Sequence, residues 1–325
     1  MESYIKDQMF LNEEAIIFGN EIIEAMIVLA LGSNLLSLKS KKKDVDILRT
    51  PKSLDDYKKV PILYGMPILF PPNRIEDGTF TYKETTYTFP VNEWEKHNHI
   101  HGFLHDKPWK VLKREAGKEG VVIVTEFLSS DFPSMYPHFP HEFKVNMTYI
   151  VKEERLDIQM NIHNIGRESF PWGAGYHTIF NFPFISRNDY SDCEISLPVN
   201  KQWELNGRSL PTGKYITLPN KDEIQRRIIG EGREYDDIFS YDEEKNRTNE
   251  AVLTDPKAGI QVRYQADRRF KYWVVFNEDG FLCPEPYTWI TNAPNLKLPV
   301  EVTGLQELQP GESIHLDTKI ILDEI

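Results

Sequence analysis

The sequence has little cysteine, no long apolar run and no excess of basic residues. Its 325 residues include two cysteines, Cys193 and Cys283, too few for a disulfide framework in a chain of this size. The most apolar stretch, residues 25–31, is far shorter than the ~20 residues that span a bilayer. No basic segment followed by an apolar one opens the sequence, so we expect a cytoplasmic protein.

Acidic residues outnumber basic residues by 50 to 38, which gives a formal net charge of −12 at pH 7. A nucleic-acid-binding protein needs a positive surface to displace counterions from phosphates, and an anionic membrane attracts the same sign of charge. We therefore expect neither nucleic acid nor a membrane as a partner. Neutral or cationic small molecules remain the candidate ligands.

Apolar residues make up 40% of the chain and aromatic residues 12%, enough to build a sizeable core and to exclude disorder over most of the length. No linker rich in proline, glycine or serine divides the chain, and no internal repeat is evident. The sequence therefore predicts a single domain over residues 1–325.

Short apolar or alternating segments recur along the chain, each bounded by glycine, proline, asparagine or aspartate. The alternation has a period of two, which places one strand face on a core and the other in water. The predicted strands are residues 15–18, 25–31, 34–38, 78–82, 85–89, 121–127, 143–151, 156–163, 215–218, 260–264 and 272–276, with a last pair at 313–316 and 319–322. This spacing predicts an all-β fold, one large antiparallel β-sandwich.

Predicted turns and helices are few. The lysine-rich residues 39–43 are interpreted as a solvated hairpin turn rather than a basic patch. Residues 83–84 and 152–155 are predicted to be the turns of two further hairpins. The candidate helices are residues 53–58 and 222–229.

Four of the nine histidines lie close together, at His97, His99, His101 and His105. If residues 97–101 form a strand, its period of two puts the first three imidazoles on one face. Three such rings with a distant acid would suit a metal site of the cupin type. A solvated sheet edge is a second interpretation, and a metal-free active-site strand, which we favour, is a third.

Glu285 and His177 are the main candidates for proton transfer. Glu285 lies between Pro284 and Pro286 in an aromatic stretch, where poor solvation would raise its pKa toward values useful for a general base. His177 follows a glycine-rich bend at residues 173–175, which lets the backbone come close to whatever the imidazole faces. The plain alternatives are a satisfied core histidine and a surface glutamate.

Two further motifs carry groups that bind polar ligands. Asn73 and Arg74 lie in a proline-rich turn that leads into the predicted strand at 78–82. Asp236 and Asp237 are adjacent carboxylates beside aromatic residues, and either of them could be the functional one.

The order of these motifs resembles that of the aldose 1-epimerase (galactose mutarotase) family, and the resemblance covers essentially the whole chain. The motifs that carry it are Asn73-Arg74-Ile75 with Gly78-Thr79-Phe80, Ile100-His101-Gly102 with Trp109, His177-Thr178-Ile179-Phe180-Asn181, Asp236-Asp237-Ile238-Phe239, and Cys283-Pro284-Glu285-Pro286 with Ala293-Pro294-Asn295. The combination is far more specific than any one motif. It implies the large β-sandwich that is called the galactose mutarotase-like supersandwich.

The resemblance also implies an enzyme that interconverts the α and β anomers of a free aldose. Carried over onto the matching motifs, Glu285 is the base and His177 the acid that open the sugar ring, and His101 stabilises charge at the ring oxygen or the C1 oxygen. A carboxylate–imidazolium pair predicts a rate that falls on both sides of about pH 6–7, with Glu285 setting the acidic limb and His177 the basic limb. No metal and no organic cofactor is implied, because neither hydride nor electrons move.

Substrate binding is implied for Arg74, Asn73 and Asp236, which would hold the sugar hydroxyls. The chain departs from the family pattern at two positions. Phe103 replaces a second glycine after the histidine–glycine pair, and Tyr287 replaces a glutamine that many members carry. Both positions line the pocket in the family, so they bear on which sugar fits.

Three alternatives remain open at this point. A mutarotase of hexose 6-phosphates would need several cations around the phosphate, for which Arg268–Arg269 or Arg226–Arg227 are candidates. A non-catalytic sugar-binding module would keep the aromatic residues without the acid–base pair. A cupin-like metalloenzyme would contain a divalent metal. We expect a small-molecule aldose as the substrate and a monomer or homodimer.

Overall fold

The structure is a computed structural model that describes residues 2–185, 190, 192–216, 235–244, 246–278 and 280–325. Its strands, in chain order, are β1 (Tyr4–Phe10), β2 (Glu13–Gly19), β3 (Ile23–Val28), β4 (Asn34–Ser40), β5 (Val45–Asp46), β6 (Ile68–Leu69), β7 (Arg74–Glu76), β8 (Thr79–Tyr82), β9 (Thr85–Thr88), β10 (Asn98–Ile100), β11 (Lys110–Gly117), β12 (Gly120–Leu128), β13 (Phe143–Lys152), β14 (Arg155–Asn164), β15 (Phe170–Trp172), β16 (Gly175–Tyr176), β17 (Phe180–Asn181), β18 (Glu194–Ser196), β19 (Val199–Leu205), β20 (Pro211–Ile216), β21 (Asp236–Tyr241), β22 (Asn249–Asp255), β23 (Ile260–Ala266), β24 (Tyr272–Glu278), β25 (Phe281–Tyr287), β26 (Gln306–Leu308) and β27 (Ser313–Glu324).

Helices within the described residues are short, and the α-helices among them are α1 (Leu54–Lys59) and α2 (Val300–Thr303). Within the described ranges, neither they nor the 3₁₀ turns are long and apolar enough to cross a lipid bilayer.

Two large antiparallel sheets form the body of the fold. One sheet has the strand order β11-β12-β13-β14-β27-β23-β22-β18. The other has the order β20-β19-β21-β24-β25-β16-β6, with β17 also paired to β25. A five-stranded sheet of β1 to β5 adds to them. The all-β antiparallel sandwich predicted from the sequence is confirmed.

The core lies between the inner faces of the large sheets. On β13 every second residue from Phe143 to Val151 is buried, as the period-two pattern requires. The two sheets meet through aromatic contacts, such as the edge-to-face packing of Tyr264 on β23 against Trp273 on β24, with ring centroids 5.7 Å apart. Polar side chains alternate outward, so one surface of the first sheet faces water.

Most predicted elements are observed near their predicted bounds. The segments 121–127, 143–151 and 156–163 lie within β12, β13 and β14, and the hairpin turn at 83–84 joins β8 to β9. The predicted helix at 53–58 is α1. Its first turn is capped by the Ser53 hydroxyl, which accepts a hydrogen bond from the backbone N–H of Asp56 at 3.1 Å.

Some predicted bounds were wrong. The predicted strand at 25–31 ends at Val28 and continues as a 3₁₀ turn. The lysine-rich turn begins at Lys41, because residues 39 and 40 still pair in β4. The candidate helix at 222–229 and the end of the predicted strand at 215–218 lie outside the described residues.

The two predicted C-terminal strands are one continuous strand, β27. Asp317, which interrupts the apolar pattern, does not start a turn. Its backbone N–H donates to the carboxylate of Asp267, and its carbonyl accepts from the backbone N–H of that residue, both at 2.8 Å. β27 therefore continues from its pairing with β14 into its pairing with β23.

Strands β1 and β11 were missed. Both are edge strands whose side chains are mostly exposed, so they lack the alternation that marks a half-buried strand. Only backbone hydrogen bonds to β2 and β12 show them, and these bonds leave no sequence pattern.

Gly102 permits a close backbone approach after β10. Its φ of +68° lies in the left-handed region, and a Cβ at this position would lie 2.1 Å from the carbonyl oxygen of Phe70. Gly213 also has a positive φ, +85°, but a Cβ there would meet no atom within 4 Å among the described residues. Comparing alanine substitutions at the two glycines therefore separates the cost of a positive φ from the cost of steric overlap.

We expect G213A to lower the free energy of unfolding by about 1 kcal/mol, the usual cost of placing alanine at positive φ. G102A should cost at least about twice as much, because the backbone of Phe70 must also move. Urea denaturation of both variants measures the difference. Equal losses would show that the approach of Gly102 to Phe70 does not constrain the fold.

Candidate active site

A cavity of about 170 Å³ lies against the sheet that contains β25. It brings together all six residues that the sequence nominated for catalysis or substrate binding. Its lining residues are Ile62, Leu63, Asn73, Arg74, Ile100, His101, His177, Asp236, Phe276 and Glu285.

Five separate segments supply the polar lining. Arg74 begins β7, and β7 pairs with β10, so the chain after β10 places His101 beside it. His177 directly follows β16, while Asp236 begins β21 and Glu285 lies in β25. Because β25 pairs with both β24 and β16, Glu285 is near the middle of the sheet, between the other groups.

Glu285 and His177 form a buried carboxyl–imidazole pair. Nε2 of His177 lies 3.6 Å from Oε1 of Glu285, and both residues are at most 5% exposed. On the other side of the ring, Nδ1 of His177 lies 3.5 Å from the thiol sulfur of Cys283. Cys283 and Glu285 are two residues apart on β25 and so face the same side of the sheet.

Burial disfavours charge on both members of this pair. It raises the pKa of the Glu285 carboxyl well above its ordinary value, and it lowers the pKa of the His177 imidazole to about 3. Burial therefore favours a protonated Glu285 beside a neutral His177. The sequence argument had assigned a carboxylate and an imidazolium, the other arrangement of the same single proton.

Arg74 is fixed by two carboxylates. Its Nε lies 3.0 Å and 3.1 Å from the two oxygens of Glu93, and its Nη2 lies 3.0 Å from Oδ2 of Asp236. Burial alone would lower the pKa of this guanidinium, but Asp236 and Glu93 outweigh it and raise the pKa. A buried cation is held here because its partners are charged and hydrogen-bonded.

Asp236 and Asp237 point in different directions, as neighbours on a strand do. Asp236 lies at the cavity, where Nζ of Lys96 is also 3.8 Å from its Oδ2. Asp237 instead accepts a hydrogen bond from the side-chain amide of Gln202 at 2.9 Å. This geometry agrees with the preference for Asp236.

The loop that carries Glu93 and Lys96 has its own support, from Arg208. This guanidinium donates to the carbonyl oxygens of Lys96 and His97, at 2.8 Å and 2.6 Å. It also pairs with Glu76 on β7 at 3.0 Å. No motif in the sequence pointed to Glu93, Lys96 or Arg208, because their partners are distant in the chain.

The prediction that His97, His99 and His101 share one strand face was wrong. β10 covers only Asn98–Ile100, and both His97 and His101 have positive φ, +53° and +68°, so the chain turns at each end of the strand. His97 is exposed and lies 2.8 Å from Asp77. His99 is buried away from the cavity, with Nδ1 2.7 Å from the carbonyl oxygen of Pro90.

His101 is the one of these three that lines the cavity. Its ring packs edge-on to that of His177, with centroids 5.1 Å apart. Burial, together with the neighbouring His177, lowers the pKa of His101 well below its ordinary value, so the ring is neutral. Its Nδ1 is buried and has no hydrogen-bond partner within the described part of the chain.

The ligand atoms of His177, Cys283 and Glu285 lie within 4.8 Å of one another, a spacing compatible with a metal ion. However, Cys283 lies beside Nδ1 of His177, whereas Glu285 lies beside Nε2 of the same ring. An ion that binds His177 would use only one of these two nitrogens and would therefore lie on the side of Cys283 or on the side of Glu285. The histidine-rich stretch, where the sequence suggested a metal, does not provide a cluster of this kind.

The two departures from the family pattern are not among the lining residues of the described cavity. Phe103 packs against Phe89, with ring centroids 4.8 Å apart. Tyr287 lies behind Glu285 and donates a hydrogen bond to its Oε2. Asn181 of the histidine motif also has a structural role, since its amide donates to the carbonyl oxygens of residues 46 and 48.

Arg268 and Arg269, two of the candidate phosphate-binding arginines, are not among the lining residues of this cavity. Arg268 lines a different cavity and pairs with Glu243 at 3.3 Å. Arg226 and Arg227 lie outside the described residues.

Sequence reasoning missed the apolar wall of Ile62, Leu63 and Phe276, which carries no recognisable motif.

Comparison with known proteins agrees with this fold. The family profile described as "Aldose 1-epimerase" matches residues 15–320, so the chain belongs to the aldose 1-epimerase family. A solved structure of a galactose mutarotase-like protein from Clostridium acetobutylicum is 32% identical, with a TM-score of 0.92 over 100% of this chain and 99% of that one.

Two curated relatives match over shorter segments. The uncharacterized protein YihR of Escherichia coli K12 is 27% identical over 169 residues, 51% of this chain and 50% of that protein. A probable aldose 1-epimerase of Arthroderma benhamiae is 28% identical over 155 residues, 43% of this chain and 33% of that protein. The match thus spans half or less of each relative's length.

The buried, neutral His99 should make stability depend on pH. Burial lowers its pKa to about 4, whereas a histidine in the unfolded chain titrates near ~6.5. Between these values only the unfolded state binds the proton, so the free energy of unfolding falls as pH falls, by up to ~1.4 kcal/mol per pH unit. We expect H99Q to flatten this decline in urea titrations, while H97Q, at an exposed site, should keep it. Identical slopes in the two variants would contradict the assignment.

Proposed function

We propose that the protein is an aldose 1-epimerase that interconverts the α and β anomers of a free aldose. The observation that carries the proposal is the buried pair of Glu285 and His177 at a cavity whose other polar groups suit sugar hydroxyls. Membership of the aldose 1-epimerase family supports it.

Ring opening needs two proton transfers on one small molecule. Glu285 accepts the proton of the C1 hydroxyl, the bond between C1 and the ring oxygen breaks, and His177 donates a proton to the ring oxygen. The open aldehyde rotates about its C1–C2 bond, and the two transfers run backwards to close the other anomer. No atom is gained or lost, and the enzyme ends with the proton it started with.

The pair passes through both of its protonation arrangements in each turnover. After ring opening, Glu285 is protonated and His177 is neutral, which is the arrangement that burial favours. In the arrangement before opening, the same proton is on the imidazole. The required state is thus a pair with one proton, and a shift across the 3.6 Å contact interconverts its two forms.

The remaining groups position the sugar. His101, neutral and beside His177, offers a ring nitrogen to the ring oxygen or the C1 oxygen. Asn73, Arg74 and Asp236 bind the hydroxyls, and the ion pairs of Arg74 hold its fork in place before substrate arrives.

A free aldose fits better than a sugar phosphate. Within the described lining, Arg74 is the only lysine or arginine, and two carboxylates already compensate its charge. A phosphate group would need additional cations. A non-catalytic binding module is also disfavoured, because burying a carboxyl and an imidazole side by side costs desolvation that mere sugar binding does not require.

The direct test follows freshly dissolved α-glucose, α-galactose and a hexose 6-phosphate by polarimetry or anomer-resolved NMR. We expect acceleration of at least one free sugar. On the best substrate, H177A and E285Q should each lose at least about 10²-fold in turnover, because each removes one proton transfer. H97A, which alters an exposed histidine, is the matched control. Near-full turnover in either site variant would remove that residue's role, and no acceleration by the wild type would refute the proposal.

The pH dependence should show a window wider than the sequence argument suggested. As pH falls, the pair gains its second proton at His177, whose pKa is about 3, so the acidic limb should lie well below the ~6.5 of an ordinary histidine. As pH rises, the last proton leaves Glu285, whose pKa is raised by burial. Measurement of kcat/KM across pH, corrected for the spontaneous rate, checks this. An acidic limb near pH 6.5, or a rate that rises with pH throughout, would contradict it.

A further inference from the structure

The hydroxyl of Tyr287 contacts the carboxyl group of Glu285, one member of the proposed catalytic pair. Tyr287 lies two residues after Glu285 on β25, so both side chains are on the same side of the sheet. Tyr287 is fully buried, and its hydroxyl donates a hydrogen bond to Oε2 of Glu285. The same hydroxyl lies 3.3 Å from Nδ2 of Asn73.

The direction of these hydrogen bonds follows from the groups present. Oδ1 of Asn73 accepts the backbone N–H of Arg74 at 2.9 Å, so the atom that faces Tyr287 is the amide nitrogen, which can only donate. The hydroxyl of Tyr287 therefore accepts from Asn73. Its single proton remains for Glu285, so the chain runs in one direction, from Asn73 through Tyr287 to Oε2.

This series of hydrogen bonds makes the environments of the two carboxyl oxygens of Glu285 different. Oε2 is occupied by the hydroxyl of Tyr287, whereas Oε1 lies 3.6 Å from Nε2 of His177. We propose that Tyr287 is a positioning residue that holds Glu285 by Oε2 and thereby makes Oε1 the oxygen that exchanges protons with substrate. The proposal rests on the proposed mutarotase function.

The ring of Tyr287 is packed so that its hydroxyl has little freedom. Tyr287 pairs with Gly175 on β16, and a Cβ at Gly175 would lie 2.3 Å from Cδ1 of the tyrosine ring. Only glycine leaves room for the ring at this position. The strand on the other side pairs Tyr287 with Tyr272, so the residue is held between two strands.

The test variant is Y287F, which keeps the packed ring and removes only the hydroxyl. Loss of a donor to the carboxylate should move the basic limb of kcat/KM upward by about one pH unit or more, as expected for a hydrogen bond to a charged group. Turnover should fall about 10-fold or more while KM changes by less than about threefold, because Glu285 is misplaced and sugar contacts remain.

Y149F is the matched control. Tyr149 is also fully buried and donates from its hydroxyl to the backbone oxygen of Ser33 at 2.7 Å, but it lies on β13 in the other sheet. Both variants lose one buried tyrosine hydroxyl, so a general loss of stability affects both. Only Y287F should alter the pH profile. An unchanged profile in Y287F would show that Tyr287 is merely structural.

A second measurement does not depend on turnover. The C=O stretch of protonated Glu285 is identified by infrared difference spectroscopy as the band that E285Q loses, at a pH low enough to protonate the carboxyl. In Y287F this band should move to higher frequency, since the carboxyl loses one hydrogen bond, and in Y149F it should stay. If the wild type accelerates no sugar, the proposed function fails, yet the band still decides whether Tyr287 holds Glu285. A band at the same frequency in Y287F and wild type overturns the proposal.

If Y287F does not fold, Y287Q replaces it in the infrared measurement. The glutamine amide can donate where the hydroxyl did but gives no packed ring, so its band should lie between those of wild type and of a carboxyl without a donor. A Y287Q band at the position of a carboxyl that has lost its hydrogen bond would show that a donor at this position does not reach Oε2, and would count against the proposal.

Discussion

The exclusion of water from Glu285 and His177 is the constraint on which the rest of the site depends. Near neutral pH in water the carboxyl would be charged and the imidazole partly charged, and burial makes charge costly for both. Because the two groups lie side by side, they can share one proton, and the free-energy cost of burial is lower for the pair than for either charged group alone. The cavity wall of Ile62, Leu63 and Phe276 maintains this condition, and the sheet beneath it keeps the two groups 3.6 Å apart.

The other side of the cavity contains a buried cation, whose charge must be compensated. Arg74 keeps its full charge while buried, because Glu93 and Asp236 hold it from two directions. Arg208, in turn, ties the loop of Glu93 to β7. The cavity thus has one half whose buried groups favour their neutral forms and another half whose opposite charges compensate one another. Under the proposed function, the first half exchanges protons with the sugar and the second half binds its hydroxyls.

Much of this arrangement is visible in sequence because it depends on local chemistry. Period-two alternation predicted β12, β13 and β14, since a strand with one face in the core must alternate. Edge strands β1 and β11 were not predicted, because backbone pairing at a sheet edge demands no apolar face. The six site residues were nominated through short motifs, and all six line one cavity.

Sequence alone determined the fold class, the family and the identity of the polar groups at the cavity, because each is carried by periodicity or by a motif within a few residues. Only the tertiary structure decided how those groups act on one another. It placed His97 and His99 outside the cavity, through two left-handed residues at the ends of β10. It also buried Glu285 and His177, which favours the neutral form of each, and it placed the hydroxyl of Tyr287 against the carboxyl rather than in the cavity lining. These features depend on burial and on distances between strands remote in the chain, which no local pattern of residues records.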